Sequence, residues 1–174
     1  MTKPRISLRD RLSVGTTRDL GPTNQVAREA LRNPALVKDL IDALDDKRIV
    51  VPHRAANALK KIQRSKPELL APFAKRILKK ALATEHMHTR WNLTIILGEL
   101  PLRGRDKLLA IDIMFEALSS RSALQRVFAL TALTNYAQDD AGLRKRIAPI
   151  LQRTLTDPSA AIRARVRKLL RQLA

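Results

Sequence analysis

The chain has 174 residues, a formal charge of +18 and no cysteine; 45% of it is hydrophobic, yet aromatics make up only 3%. This length suits one ordinary domain with a buried core, the missing cysteines exclude disulfides and thiolate metal sites, and no apolar run approaches the ~18 residues of a membrane span. A soluble, cytoplasmic protein rich in Ala, Leu, Ile and Val is expected to be helical, and its excess of positive charge suits a polyanionic partner.

Residues 1–22 carry Lys3, Arg5, Arg9 and Arg11 together with Gly15, Gly21 and Pro22, which predicts a basic, flexible N-terminal arm. A short helix follows over 23–32, opening a single domain over 23–174. Beyond it two columns recur: Leu44, Leu82, Leu118 and Leu155 stand 38, 36 and 37 residues apart, and eight residues after each comes Pro52, Arg90, Arg126 or Arg163. Offsets of three, six, seven and ten from the second column give Ala55, Ala58, Leu59, Ile62; Leu93, Ile96, Leu97, Leu100; Ala129, Ala132, Leu133, Tyr136; and Val166, Leu169, Leu170, Leu173. Those offsets trace one helix face.

A second apolar stripe precedes each leucine, through Leu40, Leu78, Met114 and Leu151. The pattern therefore predicts four helix pairs, at about 34–64, 67–100, 105–138 and 141–173. Asp46, Thr84, Ser120 and Asp157, each six residues before the second column, mark the corners, because their side-chain oxygens can hold a tight turn. Pro72 and Pro149 fall inside first helices, where kinks are expected.

A repeat of about 37 residues with a polar corner and a second helix reading Arg126-x-x-Ala129-x-x-Ala132-Leu133 resembles HEAT repeats, over residues 34–174; the first pair departs from the pattern with Pro52. The stretch His88-Thr89-Arg90-Trp91-Asn92-Leu93 followed by Gly98-Glu99-Leu100-Pro101 is also similar to small bacterial HEAT-repeat proteins. The resemblance implies an all-α, right-handed α-α superhelix with second helices on its inner face. It also implies that Arg90, Arg126 and Arg163 form a ladder between repeats, with Glu85 or Asp157 as acidic partners.

Charge is uneven: +3 for 1–22, +1 for 23–37, +7 for 38–90, −1 for 91–140 and +8 for 141–174. Arg165, Arg167, Lys168 and Arg171, projecting beside the last apolar stripe, are candidate polyanion ligands, and so are Arg54, Lys60, Lys61 and Arg64. In the neutral middle, Trp91, Ile95, Val127 and Phe128 fall outside the core offsets and are candidate contacts for a protein partner. No nucleophile with its base, phosphate loop or metal-ligand spacing occurs, since His86 and His88 lack further ligands. The expectation is a scaffold without enzymatic activity, cofactor or metal that binds a protein partner; the alternative is non-specific binding of DNA or RNA through the basic ends.

Overall fold

The computed structural model describes residues 6–16 and 19–173, and every regular element among them is helical. Lys3 and Arg5 of the expected arm lie outside the described residues. The chain divides into two compact units, Met1–Ile96 and Leu97–Ala174. Where one repeat domain was expected over 23–174, the division falls near the end of a second helix.

In the N-terminal unit, α1 (Leu8–Ser13) and α2 (Thr23–Arg32) precede the first pair, α3 (Ala35–Ala43) and α4 (Val50–Ser65). The expected flexible arm is corrected over its described residues. Ser7 caps α1 by accepting from the Asp10 N–H, Leu12 is completely buried, and α1 packs on α3 and α4. A single large apolar side chain suffices as an anchor because a buried cation, described below, ties down the chain after it.

The predicted stripe of α4 is the observed one: Ala55, Ala58, Leu59 and Ile62 are fully buried. The second pair starts differently from expectation. Instead of one helix over 67–83, two short 3-10 turns, Pro67–Leu69 and Ala71–Phe73, lead into α5 (Ala74–Ala83). Pro72 has no N–H to give to a preceding carbonyl and its ring crowds that carbonyl, so it breaks the helix rather than kinking it. Its partner α6 (Met87–Leu97) closes the pair three residues earlier than predicted. First helices neighbour first helices, with Arg76 of α5 bonded to Asp42 of α3 at 2.8 Å. Second helices likewise neighbour second helices, with Lys60 of α4 donating to Asn92 of α6 at 2.6 Å.

The C-terminal unit repeats this order with α7 (Gly104–Ala117) and α8 (Ala123–Ala137), then α9 (Ala141–Thr154) and α10 (Ala160–Leu173). Asp140 caps α9, accepting from the Leu143 N–H at 2.9 Å and from Lys107 of α7 at 3.2 Å. Arg146 of α9 lies 4.5 Å above the ring of Phe115 on α7. The fold is thus an all-α helical repeat within each unit. Pro149 lies inside α9, which continues as one helix across it. Tyr136, on the last apolar offset of α8, is mostly buried and donates its hydroxyl to the Leu97 and Leu100 carbonyls, which pins the loop between α6 and α7; burial pushes its phenol well above the usual range.

All four corners use the predicted residues, and in one way. The side-chain oxygens of Asp46, Thr84, Ser120 and Asp157 each accept from the backbone N–H two residues on, at 2.9, 3.3, 3.1 and 2.8 Å. This turn costs the backbone no unpaired donor where the chain reverses. The arginine column reinforces it in the C-terminal unit: Arg126 donates to the carbonyls of Ser120 and Arg121, and Arg163 to those of Asp157 and Pro158. Arg126 also reaches Asp157 of the following pair at 3.2 Å, with both side chains largely buried. Arg126→Ala should therefore lower the stability of this unit by about 1–2 kcal/mol, the loss of several partly buried, charge-assisted hydrogen bonds. A urea midpoint equal to that of the parent would mean Ser120 alone holds the corner.

Candidate polyanion interface

The second helices share a property that segment-wise counting conceals. Neither α4 nor α6 in the N-terminal unit contains an acidic residue, and neither does α8 or α10 in the C-terminal unit. The first helices α5 and α9 are acid-free as well, and acidic residues sit on α1, α2, α3, α7 and the connecting turns, as with Asp42, Asp46 and Asp157. A cation on a second helix consequently has no carboxylate on its own helix to neutralise it, and its fate depends on neighbouring elements.

For α10 those neighbours are apolar. Ile162, Val166 and Leu169 are buried against α8 and α9, each contributing about 1.5–3 kcal/mol by leaving water. Arg167, Lys168 and Arg171 project on the exposed side and their side chains make no hydrogen bond or ion pair among the described residues. On α9, Lys145 and Arg153 are exposed in the same state, and sequence reasoning passed over both. Helix docking here relies on the apolar stripe, so these cations are not spent on holding the fold. Arg165 differs: it is partly buried, and its Nε donates to Thr131 on α8 at 3.1 Å, so it stitches two second helices together.

Arg54 is corrected more sharply. It is 0% exposed and belongs to the interior. Its guanidinium donates to the carbonyls of Leu12 at 2.8 Å, Val14, and Thr16 at 2.8 Å, and to the Asp19 carboxylate at 2.6 Å. The chain curls around it through Gly15 and Gly21, with φ of +93° and +45°, and a Cβ at Gly21 would stand 2.7 Å from the guanidinium carbon. The positive-φ glycines let the backbone close on the cation.

The remaining candidates of α4 lie near α6. Arg64 is exposed and Lys61 half-buried, both without side-chain partners among the described residues. Lys60 is half-buried, its ammonium 5.7 Å from the Trp91 ring centre. Burial, helped by Arg64 and Lys61, lowers its pKa to about 8. Asn92 is oriented to receive it, because its amide nitrogen donates to the His88 carbonyl at 3.0 Å.

The structure adds one grouping that the sequence did not suggest. His53 of α4 stacks on His88 of α6 with ring centres 5.3 Å apart and planes 29° apart, and Trp91 lies 6.4 Å from His88. Burial, followed by the charges of His88, Arg54 and Lys60, holds His53 below its ordinary pKa. The folded chain thus binds this proton more weakly than the unfolded chain. Stability contributed by neutral His53 is complete above the unfolded value near 6.5 and declines as pH falls from there through the folded value. The thermal midpoint should drop between pH 7.5 and 5.5, and His53→Gln should reduce that drop; an identical drop in the variant would assign it elsewhere.

None of the apolar candidates is exposed. Ile95 is buried, contrary to its expected role as a contact, and Trp91, Val127 and Phe128 are each half-buried. Large exposed apolar side chains occur elsewhere, including Leu82 and Met87 at 47% and 56% beside the second corner. The ladder is also only partly as expected. Arg126 and Asp157 make it, Arg163 serves its own corner, Arg90 is half-buried on α6, and exposed Glu85 enters no ion pair among the described residues. Glu85 follows Thr84, whose hydroxyl already holds that corner, so its carboxylate is left to solvent.

Among the described residues, no three His, Asp or Glu side chains are grouped to hold a metal ion, and no helix is long and apolar enough to cross a membrane. Compared with models of known families, with characterised proteins and with solved structures, the chain matches none.

Proposed function

We propose that this chain is a non-enzymatic, HEAT-like repeat module of the cytoplasm that binds nucleic acid through the phosphate backbone, with α10 and α9 as its principal surface. One observation carries the reading: Arg167, Lys168 and Arg171 are exposed on an acid-free helix and have no side-chain partner among the described residues. Cations in that state attract phosphates and release condensed counterions on contact, a favourable change that needs no base recognition. The absence of any carboxylate on α10 removes the local competitor that normally quenches such a surface. With few aromatic side chains to read bases, recognition is of backbone rather than sequence.

A protein partner seated on Trp91, Ile95, Val127 and Phe128 draws less support, because Ile95 is buried and the other three are half-buried. The deciding measurement is fluorescence anisotropy of labelled duplex and single-stranded oligonucleotides. Binding is expected at about 50 mM salt, with affinity falling steeply, on the order of a thousandfold for six phosphate contacts, by about 200 mM. No binding to either oligonucleotide at low salt would refute the reading.

A further inference from the structure

The histidine pair of the N-terminal unit has no role in the fold that explains its composition. His53 and His88 stack across α4 and α6, the Lys60 ammonium lies over the adjoining Trp91 ring, and Arg64 is exposed at the end of α4. Apart from the Trp91 ring, all of these are cations or become cations on protonation. The groups that act on His53 are His88 from α6 and Arg54 and Lys60 from α4, and all three disfavour its charge. Several carboxylates of this unit are engaged elsewhere: Asp10 by Arg48, Glu29 by Arg11, Asp42 by Lys38 and Arg76, and Asp19 by Arg54. Asp39, Glu68 and Glu85 are exposed and do not act on His53; Glu85, three residues before His88, faces solvent at the corner.

Like charges grouped without a counter-charge are a cost to folding unless an anion relieves it. Two imidazoles can each donate one N–H to an anionic oxygen, gaining a proton as they do so, and an ammonium adds a third donor. A metal ion is the poorer occupant, since no third His, Asp or Glu ligand is grouped with the pair among the described residues. We propose that His53, His88 and Lys60 form a proton-linked subsite for a phosphoryl group, either a phosphodiester of a bound strand or free phosphate. This deepens the nucleic-acid reading by naming where the N-terminal unit receives a phosphate.

The consequence is specific in pH. The chain has three histidines and no cysteine, so from pH 7.0 to 5.5 its histidines dominate the titration. Filling the subsite must raise the affinity of His53 and His88 for protons, and by reciprocity protonation must raise the affinity for the anion. The test follows the three imidazole signals by NMR over this pH range, alone, with inorganic phosphate, and with a single-stranded oligonucleotide, while anisotropy records strand binding. His53 is expected to titrate about one pH unit higher with the occupant present, the His88 signal should move when the occupant is added, and strand binding should tighten about five- to tenfold from pH 7.0 to 5.5.

A shift with the oligonucleotide alone assigns the subsite to a strand, and one with phosphate alone to the free anion. His88→Gln, at an exposed position, should flatten the pH dependence without unfolding the unit. Unmoved signals for His53 and His88 in both arms overturn the proposal. If anisotropy still reports strand binding in that case, the subsite is refuted and the α10 surface stands; if no strand binds, the broader reading falls as well.

Discussion

Arg54→Met should loosen residues 6–16 and cost the N-terminal unit about 3–4 kcal/mol. The guanidinium is the shared donor for the carbonyls of Leu12, Val14 and Thr16, and methionine leaves those acceptors facing an apolar stem. An unsatisfied buried polar group costs about 1–3 kcal/mol, although the loop can turn part of its backbone to water. Asp19 is half exposed and recovers hydration readily, so the ion pair itself is a minor part of the loss. Two measurements check this: a urea denaturation midpoint, and limited proteolysis within residues 6–22. A variant as stable and as protease-resistant as the parent would show that Leu12 alone retains the segment. Arg54→Lys should lie close to Met, because an ammonium cannot present the planar, divergent donors that reach three carbonyls and a carboxylate together.

Substituting Arg167, Lys168 and Arg171 together by alanine should weaken nucleic-acid binding roughly 100-fold at about 100 mM salt, at about 1 kcal/mol per exposed cation–phosphate contact. The slope of log affinity against log salt should fall by about 2.7 for duplex, three phosphates fewer. Stability should hardly change, since α10 docks through Ile162, Val166 and Leu169, and the three substituted side chains have no partners among the described residues. That combination is discriminating. Equal losses of affinity and stability would point to a damaged fold, whereas an unchanged salt slope would place the binding surface elsewhere.

These two arginine sites show how differently one residue type is used. Arg54 and Arg167 both sit on second helices without acidic residues, and both read as candidate phosphate ligands. Arg54 faces a segment about 40 residues earlier in the chain, whose carbonyls enclose it. Arg167 is exposed, with no side-chain partner among the described residues. Its exposure follows from being on the far side of α10 from Val166 and Leu169, which helical periodicity does reveal. For Arg54 the periodicity was no guide, because the enclosing loop belongs to no repeat. The one usable hint was the pair Gly15 and Gly21, whose positive φ angles permit the enclosure and which were read instead as marks of flexibility. The His53–His88 stack was equally hidden, since 35 residues separate partners that meet only when α4 lies beside α6.

What the amino-acid sequence determined by itself is the local architecture. Apolar spacing placed the stripes of α4, α8 and α10, and short polar side chains placed all four corners, because a helix face and a turn closed by an N–H two residues on depend only on near neighbours. Pro72 showed the limit even there, since a kink and a break differ by whether the turns before it can still pack. Tertiary structure alone decided which cations are available. A guanidinium's role depends on the acceptors that surround it, and those come from elements distant in sequence: carbonyls of residues 12–16 for Arg54, Asp157 for Arg126, Thr131 for Arg165, and open solvent for Arg167, Lys168 and Arg171.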